Sequence, residues 1–243
     1  MPRLIFALFS ISNIALLGCG GSLHSNDTGE AVIPSQEVQL TLVSWNGSPE
    51  IEIPVFSMFD HLSHSTEEDG TVLLLVEPHA NFTLIASDEY SDSLQHHYYG
   101  IAGNEDFSMT APFFDRNYLT LLQEKVGITP EPGKGIILVS IVDGDFAPKV
   151  SAKADISSTS GNPAVLNNNP NELPLNANTN TIEEGDLSWI LFGNVDTGPA
   201  TVTVENTTAC RVYPSGEISV SGTTSTSVTA YADTISYVQF QCQ

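Results

Sequence analysis

The sequence predicts a mostly β protein of two tandem antiparallel β-sandwiches joined by one short helix. Three observations predict it: apolar and polar residues alternate with period two over short runs, turn residues punctuate those runs, and the pattern occurs twice along the chain. Ile51, Ile53 and Val55 alternate with Glu50 and Glu52, Val202 and Val204 with Thr201 and Thr203, and Ile218 and Val220 with Ser219 and Ser221. In a half-buried strand successive side chains point to opposite faces, so each apolar set is expected to face a core and each polar set water.

The chain opens with Arg3 and an apolar run, Leu4 to Leu17, broken by Ser10, Ser12 and Asn13. That run suits the apolar region of a signal peptide and falls short of the roughly 20 residues that span a bilayer. Leu16-Leu17-Gly18-Cys19 resembles the bacterial lipobox, and the resemblance implies that residues 1–18 are removed and that the Cys19 thiol carries lipid. Each buried CH2 of such an anchor contributes about 0.8 kcal/mol, so several chains hold without a transmembrane helix. Residues 19–36, with "GGSLHSNDTGEAVIPSQ" from Gly20, have the Gly- and Ser-rich composition of a flexible tether on the order of 20 Å in coil dimension.

The first sandwich is expected over 37–112 and the second over 134–243. "STEEDGTVLLLVEPHANFTLIAS" at 65–87 aligns with "NTIEEGDLSWILFGNVDTGPATVTV" at 180–204, and "VQLTLVSWNGSPEIEIPVFS" at 38–57 with "IILVSIVDGDFAPKVSAKADIS" at 136–157. The spacing from Pro49 to Thr66 is 17 residues and from Pro148 to Thr181 is 33, so the second copy carries an insertion. That insertion, Asn-rich and broken by Pro over 157–181, reads as a structureless loop. Between the copies, at 113–133, the period changes: Phe114, Tyr118, Leu121, Leu122 and Val126 share one helical face, predicting a helix from about Asp115 to Val126. Cys210 and Cys242, an even pair in an exported chain, are expected to form a disulfide.

The formal net charge is −22, and loss of residues 1–18 makes it one unit more negative. Such a chain repels phosphate backbones, which excludes nucleic-acid binding. No cofactor is expected. The expected partners are the membrane, through lipid on Cys19, and envelope proteins or glycans.

The strand, turn before Pro, strand, Thr-acid-acid-Gly and apolar strand ending in "NVxxG" resemble the carboxypeptidase regulatory-like domain, a transthyretin-like, Ig-like β-sandwich. The matching residues are Pro148, Glu184-Gly185, Phe192, Asn194-Val195, Gly198 and Val202 to Val204. The first copy matches through Pro49, Asp69-Gly70 and Phe82 to Leu84, and has "VEPHAN" in place of the "NVxxG" turn. The whole is similar to bacterial envelope lipoproteins that carry such domains in tandem. The resemblance implies a structural or adhesive element, with no catalytic residues.

Several clusters invite chemistry. "QHHYYG" brings His96, His97, Tyr98 and Tyr99 together, but on a strand they alternate faces and cannot converge on one ion, so an edge strand or loop with packed aromatics is expected. His61, His64 and His79 would clip a metal only if the chain turned there. Asp143 with Asp145, and Glu183 with Glu184 and Asp186, are oxygen donors of the kind Ca2+ takes, without the spacing of an EF-hand; the turn Glu67-Glu68-Asp69 is the first copy's equivalent. There is no GxSxG. Trp45, beside "NGSP", is the better candidate for stacking on a sugar, while Trp189, in "LSWILF", reads as core.

The expectation is a lipid-anchored, non-catalytic protein of the bacterial cell envelope, placed at the outer membrane because Gly20 stands where an inner-membrane retention signal has Asp. The alternative is a surface lipoprotein that binds a glycan or Ca2+ through its acidic turns and the loop at 157–181; an enzyme, with His61, His64, His96 and His97 as its first candidates, ranks third.

Overall fold

The computed structural model describes residues 34–44, 47–87, 94–114, 128–167, 175–177, 179–184, 186–206, 208–218 and 223–243. The predicted helix lies outside them, as do Cys19 and Trp45.

The first half holds β1 (Gln36–Val43), β2 (Pro54–Ser57), β3 (Ser63–Ser65), β4 (Thr71–Val76), β5 (Asn81–Ala86), β6 (Gln95–Ile101) and β7 (Phe107–Pro112). The second holds β8 (Gly135–Val142), β9 (Lys153–Ile156), β10 (Ala164–Asn167), β11 (Leu175–Ala177), β12 (Asp186–Val195), β13 (Gly198–Glu205), β14 (Cys210–Val212), β15 (Thr223–Ala230) and β16 (Thr234–Cys242).

One pairing scheme occurs twice. The order β4-β1-β7 in the first half is matched by β12-β8-β16 in the second, and β2-β5-β6 by β9-β13-β15. The turns that follow β1 and β8 share backbone hydrogen bonds at their described residues. Val43 bridges Pro49 and Val142 bridges Pro148. The Ser44 N–H donates to Ser48 O (2.8 Å) and the Asp143 N–H to Ala147 O (2.8 Å). Three residues beyond each proline a non-glycine residue adopts positive φ, Glu52 at 59° and Ser151 at 67°. Their N–H groups donate to Thr66 O and Ile182 O at 3.0 and 2.8 Å.

This kink corrects the expected alternation at Ile51. Glu52 in the left-handed region breaks the extended chain, so the strand starts only at Pro54 and Ile51 is 51% exposed, while Ile53 and Val55 are buried. Val202 and Val204 are buried as alternation requires. Ile218 lies outside any strand and is exposed.

The sheets are mixed, not purely antiparallel. Within each half the chain leaves the facing sheet after its last strand there and re-enters beside the first strand in the same direction. β7 therefore runs parallel to β1, and β16 to β8.

Nor do the two halves stand apart as separate sandwiches. β16 also pairs in parallel with β6, from Thr234↔Gln95 to Val238↔Tyr99, which fuses one sheet of each half into a ten-stranded sheet. Residues 34–243 form one compact unit. The other two sheets, β4-β1-β7 and β15-β13-β9, cover opposite faces of it. Leu138, Ile235 and Tyr237 join the core under β1 and β4, while Ile137, Val139 and Val238 join the core under β13 and β15.

The sequence of β8 explains why it lies at the centre. "GIILVSIV" is apolar on both parities and is buried at every position, the signature of a strand covered on both faces. Each fully buried Ile, Leu or Val there contributes about 1.5 to 3 kcal/mol.

The insertion is not structureless. Ala164, Val165 and Leu166, an apolar triplet among Asn and Pro, are buried in β10, which pairs with β12 and with β11 and extends the sheet. At the C-terminus β14 pairs with β16 in the register Cys210↔Cys242, and these two cysteines are disulfide-bonded.

Candidate functional site

The run of two His and two Tyr splits between faces as alternation dictates, but it lies in mid-sheet between β5 and β16, not at an edge. Both halves of the chain pair with β6, which sequence periodicity could not foresee. His96 is fully buried; its Nδ1 faces Leu94 O at 2.8 Å and its Nε2 accepts the Phe114 N–H at 3.0 Å. That pattern fixes a neutral ring protonated at Nδ1, and burial pushes its pKa down to about 3. Tyr98 donates to Pro112 O at 3.0 Å, and burial raises its pKa. On the other face His97 packs against Tyr231 with ring centroids 4.7 Å apart, and Tyr99 donates to Thr229 O at 3.1 Å. These four side chains act as clamps between segments.

Among the described residues no three His, Cys, Asp or Glu side chains come together as a metal site. His61, His64 and His79 are exposed on separate segments. The Asp143 carboxylate accepts the N–H groups of Asp145 (2.9 Å) and Ala147 (3.0 Å), so it closes its own turn. Glu183 and Glu184 are exposed, and the side chain of Asp186 lies outside the described residues. In the matching turn of the first half, Asp69 accepts from the Thr71 hydroxyl and N–H, which lowers its pKa.

The structure instead brings uncharged groups together in a cleft of about 320 Å3, where the shared sheet emerges from under the first half. Its floor is the outer face of β8 and β16: Ser140, Val142, Tyr237 and Gln239. Ser188 and Trp189 of β12 form one wall, and Ser108 and Thr110 of the edge strand β7 the other. Ser140 and Ser188 share a hydrogen bond at 3.1 Å, and the buried Tyr237 hydroxyl donates to Gln239 Oε1 at 3.3 Å, leaving the amide NH2 as the donor end. Trp189 is braced from behind by Phe114 at 6.0 Å.

Phe146 forms the lip. It is 52% exposed, its ring lies 5.4 Å from that of Tyr213, and its backbone sits at φ 62°. The left-handed region costs a residue with Cβ about 1 to 2 kcal/mol. The matching position of the first half is Gly47, at φ 81°. A turn built for glycine thus holds a half-exposed aromatic ring over the cleft. Tyr213 in turn donates to Ser108 O at 2.6 Å, tying the lip to the β7 wall.

A second cleft of similar volume lies beside the disulfide. Its polar groups are used by the fold: Arg211 donates to Gln241 Oε1 at 2.8 Å, and Lys149 to Gln243 O at 2.7 Å.

Sequence reasoning assigned Trp189 to the core and passed over Phe146, Ser140, Ser188, Tyr237 and Gln239. Trp189 does pack on the core, but it is only partly buried. The legible signal was "VDGDFAP" against "VSWNGSP", which sets Phe146 against Gly47.

No family model matches the chain, and no curated protein sequence matches it. Among solved structures it is similar to a streptococcal ancillary pilin, at 8% identity over 88% of this chain and a TM-score of 0.26. It is also similar to the shaft pilin SpaA of Lactobacillus rhamnosus GG, at 11% identity, 86% coverage of this chain and 98% of that one, with a TM-score of 0.25. The minor pilin of Streptococcus agalactiae matches at 9% identity over 85% of this chain and 95% of that one, with a TM-score of 0.26. The chain spans 63% of the length of the ancillary pilin. Likeness at this level leaves function to be argued from the chain's own residues.

Proposed function

We propose that the chain is a lipid-anchored, non-catalytic protein of the bacterial cell envelope, serving as a structural or adhesive interaction module. In this reading Cys19 carries the lipid, the tether lifts the folded part off the headgroups, and the two halves are carboxypeptidase regulatory-like repeats. The membrane is the outer one.

The observation that supports the reading is the lipobox-like Leu16-Leu17-Gly18-Cys19 and the Gly- and Ser-rich stretch after it, ahead of a compact β unit over residues 34–243. The far end of that unit is bonded into its own sheet through Cys210 and Cys242. A tether at one end and a closed sheet at the other suit a body that is held at a surface and bears load or contacts there.

Mass spectrometry of the mature N-terminus, followed by protease shaving of intact and lysed cells, tests the proposal. Lipid on Cys19 is expected, with digestion on intact cells for a surface module or protection until lysis for a periplasmic one. An unmodified N-terminus that retains residues 1–18 contradicts it.

A further inference from the structure

We propose that the cleft between β7, β8, β12 and β16 binds a neutral hexose unit of a polysaccharide, with Phe146 and Trp189 as apolar platforms. The inference rests on the surface-module reading and names what such a module would hold.

Charge comes first. The chain carries 29 acidic residues, yet among the described residues no charged side chain lines this cleft. An anionic ligand would be repelled by the surrounding field, and a cation would find no carboxylate inside. An uncharged ligand is the one the site accepts.

The lining then specifies the class. Thr110, the bonded pair Ser140 and Ser188, and the Gln239 amide line the cleft, with Ser108, whose hydroxyl donates to Gln39 Oε1 at 3.2 Å, at its β7 wall. Hydroxyls both donate and accept, and an amide supplies one of each. A sugar presents the complementary set, several adjacent hydroxyls that each donate and accept. A lipid tail would take water away from these polar groups and offer their remaining donor and acceptor positions nothing in return.

Sugar rings also have faces of C–H groups, which pack on aromatic rings. Phe146 and Trp189 supply such rings, and Phe146 is held in a turn whose counterpart uses glycine. The cleft volume of about 320 Å3 is at the small end of ligand pockets, roughly 300 to 1,000 Å3, which suits one ring of a longer chain.

The test applies the purified full chain to immobilised neutral gluco-, manno- and galacto-oligosaccharides, with sialylated and sulfated glycans as controls. Retention on at least one neutral class is expected, insensitive to salt and absent from the anionic controls. Phe146→Gly, which restores the residue of the first half, should weaken retention about tenfold. Thr110→Arg, on the exposed side of an edge strand, should abolish it by filling the cleft. No retention on any neutral class overturns the inference, and so does retention unchanged in both variants. If Cys19 is lipidated and shaving reaches the chain but no neutral glycan is held, the cleft inference fails and the surface module stands. If neutral glycan is held through the cleft by a chain without lipid, the cleft stands and the anchoring fails.

Discussion

β1 and β8 occupy the same place in their halves, yet one reads QEVQLTLV and the other GIILVSIV. Aligned on Val43 and Val142, the outward set of β1 is Glu37, Gln39 and Thr41, while that of β8 is Ile136, Leu138 and Ser140. The β1 set is exposed or partly so, and the β8 set is buried by the first half of the chain. The two halves share a pairing scheme and differ in what their outer faces meet. That difference converts two repeats into one body, and the cleft lies where the covered face runs from apolar Leu138 to polar Ser140 and Gln239.

The largest effect should come from exchanging those outer faces. Leu138→Gln puts the first half's residue under the second half's cover, losing a buried Leu and stranding an amide, and should cost about 4 kcal/mol in urea unfolding. The reverse exchange, Gln39→Leu at an exposed site, should stay within about 0.5 kcal/mol. Equal effects from the two exchanges would mean that the faces do not differ as described.

Only the second half carries a covalent staple. The bonded cysteines are separated by 32 residues, and closing such a loop contributes about 3 to 4 kcal/mol. Cys210→Ser with Cys242→Ser should lower stability by that order, read from the shift of the denaturation midpoint against the unreduced chain.

His96 tests the seam between the halves through pH. Its folded pKa is about 3, against an ordinary value of 6.5. Between those values the unfolded chain binds a proton that the folded chain refuses, so stability is full above pH 6.5 and falls as pH drops toward 3. From about pH 7 to 4.5 this site accounts for roughly 2 to 3 kcal/mol. His96→Gln should remove that much of the pH dependence, leaving the part due to carboxylates such as Asp69. An unchanged slope would place His96 outside the core.

The smallest effect concerns the matched turns. Gly47→Phe would meet no atom within 4 Å at its Cβ but would take on the left-handed backbone, and should cost about 1 to 2 kcal/mol by thermal unfolding. Phe146→Gly should be neutral or mildly stabilising, because it releases the same cost at the other turn. A large loss there would make the Phe146 ring a fold element.

Strands whose polarity follows from local alternation were legible in sequence, as Val202 and Val204 show, and so was the cysteine pair. The repeat was legible because both copies keep the proline turn and the acidic turn. What periodicity missed depends on partners distant in sequence. "GIILVSIV" carries the mark of a strand covered on both faces, but its cover comes from residues about 100 positions earlier. "QHHYYG" reads as an edge because its neighbour β16 lies near the far end of the chain. The cleft was hidden for the same reason: Ser108, Ser140, Ser188 and Gln239 are unremarkable singly and meet only once the sheets are joined.

Native-state hydrogen exchange across a denaturant series tests the joining of the halves most directly. If the shared sheet makes one cooperative body, the slowest amides of β5 in the first half and β13 in the second should merge into one isotherm with the same opening free energy. Two isotherms with separate slopes and free energies, one for each half, would contradict the account.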